Sequence, residues 1–177
     1  MAGMIDWLWM KTAGIASWTT FGVVLVIAIA FNTLFNRYGR HYPKGLKTFD
    51  GRMSGFTPSQ VEPILKEFHD SGQLDRYLAQ ETQLDLIYPL VYSLLFAIII
   101  AGAGARLPHW FIVAPYAAAL FDYCENFTYI ALILRYRAEQ HVPFALAVVA
   151  SVASRLKWGF IFLSLGAALA ALSARLR

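Results

Sequence analysis

Cysteine is nearly absent from this chain. Cys124 stands alone, so no intramolecular disulfide and no thiolate metal cluster can form. Charge is scarce too: 15% of residues are charged and 58% hydrophobic, where a soluble domain carries about 25% and about 45–50%. The deficit comes in blocks. Residues 12–36 and 86–105 contain no charge. Residues 111–134 hold only Asp122 and Glu125, and residues 144–172 only Arg155 and Lys157.

Several chemistries are missing as well. Metal sites need converging His, Cys or carboxylates. His41, His69 and His141 fall on one side of the apolar blocks and His109 on the other, so neither a diiron bundle nor a bis-histidine haem is expected. No metal set is expected from the sequence, and it leaves the cofactor unknown. There is no His-Glu-x-x-His and no Gly-x-Ser-x-Gly. Gly102-Ala103-Gly104 ends an apolar helix rather than following a strand, so it is not a dinucleotide loop. The basic residues cluster beside apolar blocks, where membrane topology explains them, and nucleic acid is not an expected partner.

What is present is a set of candidate crossings. A transmembrane helix takes roughly 20 mainly apolar residues. The pattern predicts an all-α polytopic membrane protein, one domain over 1–177, with spans at about 14–36, 84–105, 111–134 and 144–172. The first block is too long for a signal-peptide core and lacks a small-x-small cleavage pattern after it, so it is expected to persist as a helix. The 37–83 segment and the turn after the third block hold nine Lys and Arg, against Lys11, Arg106, Arg175 and Arg177 on the other side. Positive residues stay cytoplasmic. Both termini are therefore expected outside, in a plasma or inner membrane, with the 37–83 loop inside.

That loop carries its own helical pattern. Thr57-Pro58-Ser59-Gln60 reads as a helix start, with Thr57 as cap, Pro58 at the first position and Gln60 closing a capping box. Val61, Ile64, Leu65 and Phe68 follow at helical spacing, and Gly72 ends the segment. Its apolar face covers the bundle's cytoplasmic end or lies on the membrane surface. A second helix runs from about Leu74 into the membrane. Pro89 predicts a kink, because proline lacks an N–H and clashes with the carbonyl four residues earlier, here that of Asp85. Asp85, Tyr88 and Tyr92 share one face. Asn32 and Asn36 reach the same level from the first helix.

The third block holds the candidate site. Asp122, Glu125, Asn126 and Tyr129 fall within an arc of roughly 100° on a helix. Ionisable residues inside spans are rare and mark a functional interior or a buried pair. Pro115, Ala118 and Ala119 extend this face and suit helix packing. Cys124 is offset from it. The third and fourth blocks are joined by a short turn, so they are antiparallel neighbours, and Asp122 and Arg155 lie at matched depth. Arg155 is the expected partner of Asp122. Lys157, about 200° away around its helix, faces another helix or snorkels. A membrane boundary near Arg155 is the alternative placement, which would make both cations interfacial. Trp7, Trp9, Trp18 and Trp110 suit an aromatic belt. Trp158 stands beside the charges.

Gly55-Phe56-Thr57-Pro58, Leu84-Asp85 with Tyr88-Pro89 and Tyr92, Asp122 with Glu125-Asn126, and Leu156-Lys157-Trp158 occur in this order. In them the chain resembles an uncharacterised family of small four-helix integral membrane proteins. The resemblance implies the fold and transfers no catalytic role. Three function classes follow from the sequence. The first is a protein that binds or transports a small polar or lipid ligand at a cluster of Asp122, Glu125, Asn126, Arg155, Tyr129, Lys157, Asp85 and Tyr88. The second is an accessory subunit of a larger membrane complex. The third is an intramembrane enzyme using a carboxylate as general acid or base. Membrane lipids and other membrane subunits are the expected partners.

Overall fold

The structure, a computed structural model, describes residues 2–53, 55–102 and 107–175. Arg106, Arg177, the Ala103-Gly104 pair and the end of the expected 84–105 span lie outside the described residues. Among the described residues there is no strand. The helices are α1 (Ala2–Ile15), α2 (Trp18–Gly39), α3 (Val61–Asp70), α4 (Leu74–Gln83), α5 (Tyr88–Ala101), α6 (Val113–Arg137) and α7 (Phe144–Arg175). Three helical stretches are long and apolar enough to cross a membrane: Trp18–Gly39, His109–Arg137 and Phe144–Ala174. A fourth crossing arises if α4 and α5, bent by 43° at their junction, act as one.

Local chemistry sets the boundaries. Ser17 caps α2, its hydroxyl accepting from the Thr20 N–H at 3.0 Å. The expected capping box forms: the Thr57 N–H donates to Gln60 Oε1 at 2.7 Å, and Pro58 opens a short 3-10 turn into α3. Gly72, at φ +68°, closes α3 in the left-handed conformation that glycine adopts without penalty. Pro89 sits in the first turn of α5, after the bend. It withholds the N–H that would bond the Asp85 carbonyl, and the Asn126 side-chain amide donates to that carbonyl instead, at 2.5 Å. The bend is thus tied directly to α6.

Helices α6 and α7 form the main pair, and α5 packs against both. Helix α2 is peripheral and packs mainly on α5. Only Val24 and Ala28 of α2 are buried, while Val23, Val26 and Ile29 are exposed. Helix α1 lies at the opposite end from the cap, where Trp9 stacks on His109 with centroids 4.5 Å apart and Asp6 meets the His109 ring. Trp7, Trp18 and Trp110 are exposed, as belt residues would be.

The segment 40–57 with α3 and α4 forms a cap. The predicted apolar face of α3 is buried through Val61, Ile64, Leu65 and Phe68. It packs in one core with Phe49, Phe56 and Tyr77 of the cap and with Tyr129, Leu132 and Ile133 of α6. The cap therefore sheathes one side of α6 and the start of α7. The opposite faces stay apolar and exposed as far as Leu134 and Phe144. Non-helical backbone beside such helices is tolerated where protein buries it. Here the Phe49 N–H donates to the Tyr77 hydroxyl at 3.1 Å, and the Phe56 carbonyl accepts from Ser151 at 2.5 Å and from Arg155 at 3.1 Å.

Candidate functional site

A cluster of carboxylates lies where the cap meets the bundle. Helix α6 presents Asp122, Glu125, Asn126 and Tyr129 on its inner face, all buried. Helix α7 brings Lys157, 3% exposed, into their midst. The Lys157 ammonium lies 2.6 Å from Asp50 Oδ1 and 3.5 Å from Asp122 Oδ1, and it pairs with Glu125 Oε2. Glu125 Oε1 accepts from the Tyr129 hydroxyl. Asp122 Oδ2 accepts from Tyr92 at 2.8 Å. One buried ammonium thus meets three acids, the arrangement a desolvated charge requires.

Two expectations are corrected here. Arg155 does not pair with Asp122. It is exposed on α7, reaches the Phe56 carbonyl, and packs its stem over Gly55. Lys157 takes the role assigned to Arg155. Depth along the helices agreed for both cations, but the rotation of α7 decides which one turns inward. Ala147, Ala150, Ser154, Ser164, Ala168 and Ala171 are all buried on that helix, and Lys157 falls on their face. On the face that carries Arg155, with Ser151, Gly159 and Phe162 at helical spacing, only Ser151 is buried.

The second correction concerns converging carboxylates, which the sequence reading did not find. Asp50 comes from the cap loop and Glu81 from α4. Carboxylate oxygens of Asp50, Glu81 and Asp85 lie within 4.8 Å of one another, and so do those of Asp50, Asp122 and Glu125. Asp50 joins the two sets. Glu81 is fully buried, and neither of its carboxylate oxygens receives a hydrogen bond; Asp50 Oδ2 also lacks a donor. Asp85 Oδ2 accepts from Gln80 Nε2 at 3.3 Å. The Tyr42 hydroxyl donates to Gln80 Oε1 at 3.0 Å. Burial, and after it the charge of Glu81, pushes that hydroxyl above its ordinary pKa, so it stays a donor.

A cavity of about 810 Å³ adjoins the cluster. Its polar end is formed by Asp50, Gln80, Asp85, Asp122 and Lys157. Its apolar wall includes Leu25, Ala28 and Ile29 of α2, Leu95 and Phe96 of α5, and Ile161 of α7. The volume falls in the range of small-molecule sites, roughly 300–1,000 Å³. Tyr88 lines the cavity, and its hydroxyl accepts from Asn32 Nδ2 at 3.1 Å. Asn36 lines it too, so both asparagines reach the level of Asp85 as expected. Trp158 borders the space, and its buried Nε1–H has no acceptor. Glu125 is held by Tyr129 and Lys157 behind the cavity surface rather than left open to it. Cys124 is exposed on the far side of α6 and takes no part.

Of the sequence-derived residues, then, Asp122, Glu125, Asn126, Tyr129, Lys157, Asp85 and Tyr88 come together, and Arg155 stands apart. Asp50 and Glu81 were missed. Glu81 was detectable: it lies on the buried face of α4 with Leu74 and Tyr77 and four residues before Asp85. Asp50, in an irregular loop, had no periodic signal. Comparison with family models, with curated proteins and with solved structures finds no match.

Proposed function

We propose that the chain is a four-span integral membrane protein that binds or carries an amphipathic small molecule. Its spans are α2, the bent α4–α5 pair, α6 and α7, and the cap faces the cytoplasm with both termini outside. The positive-inside excess of the cap supports that orientation. The observation that carries the reading is the shape of the cavity: one apolar wall along α2, α5 and α7, and one polar end. A lipid-like ligand would lay its chain along the wall. Its headgroup would meet Asp50, Asp85, Asp122 and Lys157. The acids outnumber the single ammonium, so a cationic or zwitterionic headgroup suits this end best.

The test is native mass spectrometry of the protein purified in a mild detergent. A lipid-sized adduct at one per chain is expected. Ala28→Trp, which fills the cavity from α2, should remove it without lowering the yield of folded protein. An adduct that survives Ala28→Trp, or a chain that carries none, would refute the reading.

One observation favours the second reading, an accessory subunit of a membrane complex. Helix α2 has an apolar face of Val23, Val26 and Ile27 that no other described residue covers. Lipid satisfies that face as well as a partner helix does, so it ranks below the cavity.

A further inference from the structure

The two carboxylate sets that share Asp50 differ in one respect. The Asp50–Asp122–Glu125 set contains a cation, the Lys157 ammonium. The Asp50–Glu81–Asp85 set has no counterpart: among the described residues, no Lys, Arg or His forms an ion pair with Glu81 or Asp85. Its one direct hydrogen bond from a side chain to Glu81 or Asp85 is the neutral Gln80 amide on Asp85. Buried acids with neither donor nor counter-charge are strongly disfavoured, and such groups in a stable fold require a partner. Glu81 is the sharpest case, at 0% exposure with both oxygens unpartnered.

We infer that Asp50, Glu81 and Asp85 bind a divalent cation of the hard, oxygen-preferring class, beside the Lys157 ammonium at the polar end of the cavity. The donor set is all carboxylate, which suits Ca²⁺, Mn²⁺ or Mg²⁺ and not a thiolate- or imidazole-seeking metal. The spacing fits. Two oxygens on one ion lie no further apart than twice the bond length, about 4.2 Å for Mg²⁺ and about 5 Å for Ca²⁺. The oxygens here lie within 4.8 Å of one another, inside the Ca²⁺ limit; a smaller ion would draw them in by a few tenths of an ångström. Asp50 and Asp85 line the cavity, which gives the ion an access path and leaves its remaining positions to water or a ligand headgroup. The three ligands come from the cap loop, α4 and the α4–α5 bend, so the ion would fasten the cap to the bundle. The site shares Asp50 and Asp85 with the amphiphile reading but rests on Glu81, which does not line the cavity; Mn²⁺ binding and the lipid adduct are read separately, so either can fail without the other.

The competing resolution is a proton shared between Asp50 and Glu81. Mn²⁺ separates the two. The full chain, purified in detergent and stripped with EDTA, is titrated with MnCl₂ while the free-ion electron paramagnetic resonance signal is followed. One bound Mn²⁺ per chain is expected, competed by CaCl₂. Melting temperature should rise by about 5–10 °C at a hundredfold excess over Kd. Glu81→Gln should weaken binding at least tenfold. Because that change removes an uncompensated buried charge, the variant is expected to melt no lower than the parent in EDTA. Asp85→Asn provides a second variant with the same expectation. A parent that binds no Mn²⁺ and shows no saturable shift would overturn the site, and so would binding that is unchanged in both variants.

Discussion

Replacing Lys157 with Met gives the most direct test of the charge arrangement. The side chain keeps its length and loses the ammonium, leaving Asp50, Asp122 and Glu125 facing one another. Glu125 is fully buried, and Asp122 is 5% exposed. Removing one member of a buried pair costs about 3–5 kcal/mol, because the remaining charge is uncompensated. For a chain of this size 1 kcal/mol moves the melting temperature by about 2–4 °C, so Lys157→Met should lower it by about 6–20 °C. Arg155→Gln is the internal control. Arg155 is exposed and makes one hydrogen bond to a backbone carbonyl, at 3.1 Å, so its loss should cost about 1.5 kcal/mol, below the Lys157→Met loss. Adding Glu125→Gln to Lys157→Met should return part of the loss, since the two groups are in contact and their effects couple. The assay is thermal unfolding in detergent, read by size-exclusion survival after heating. If Arg155→Gln proves as damaging as Lys157→Met, or if the Lys157 and Glu125 effects simply add, the geometry argued here is wrong.

Two further outcomes are expected. With Cys124, itself exposed, replaced by Ala, a cysteine at the exposed Glu62 position on α3 should react with an impermeant maleimide only after cells are permeabilised; labelling in sealed cells would invert the orientation. Gly55→Ala should lower the melting temperature by about 2–8 °C, since φ +76° costs a side-chain-bearing residue roughly 1–2 kcal/mol and the new Cβ would meet Arg155 Cγ at 3.0 Å, while Gly55→Asn should cost less; an unchanged melting curve for Gly55→Ala would mean the loop takes another path.

Helix positions were legible in the sequence wherever period and apolar content agreed. The capping box at Thr57, the buried face of α3 and the inner arc of α6 came out as read, because each depends on residues within a few turns of one another. The break before Pro89 was legible for the same reason. The rotation of α7 was not read correctly. Matched depth pointed to Arg155, whereas the small residues from Ala147 to Ala171 are what allow close approach of α6 and so turn Lys157 inward. The extent of the cap was hidden as well. Nothing in residues 40–57 signals that the loop dips to the level of Lys157, since that placement depends on Phe49 and Phe56 joining Tyr129 in one core. Asp50 entered the site with them. α1 was also not foreseen as a separate helix: Trp9, expected in an aromatic belt, is instead buried against His109, a hundred residues away, in a core with Ile100, Ile112 and Ala168.

On the proposed four-span reading, the placement of Lys157 bears on how the chain is made. Helix α6 leaves the ribosome with two acids and no cation of its own at that level. An acid at the centre of a lone helix raises the cost of partitioning into lipid by about 2.5–3.5 kcal/mol. Lys157 follows Glu125 by 32 residues, roughly 2–6 seconds of translation at ~5–20 residues per second. During that interval α6 is a poor substrate for the bilayer. The short 138–143 turn lets α7 fold back along it as soon as it emerges, and the ammonium then neutralises the acids inside the hairpin. On that reading, integration of α6 leans on a residue in the next helix, and a nascent chain stopped before Lys157 should insert α6 less efficiently than one that includes it.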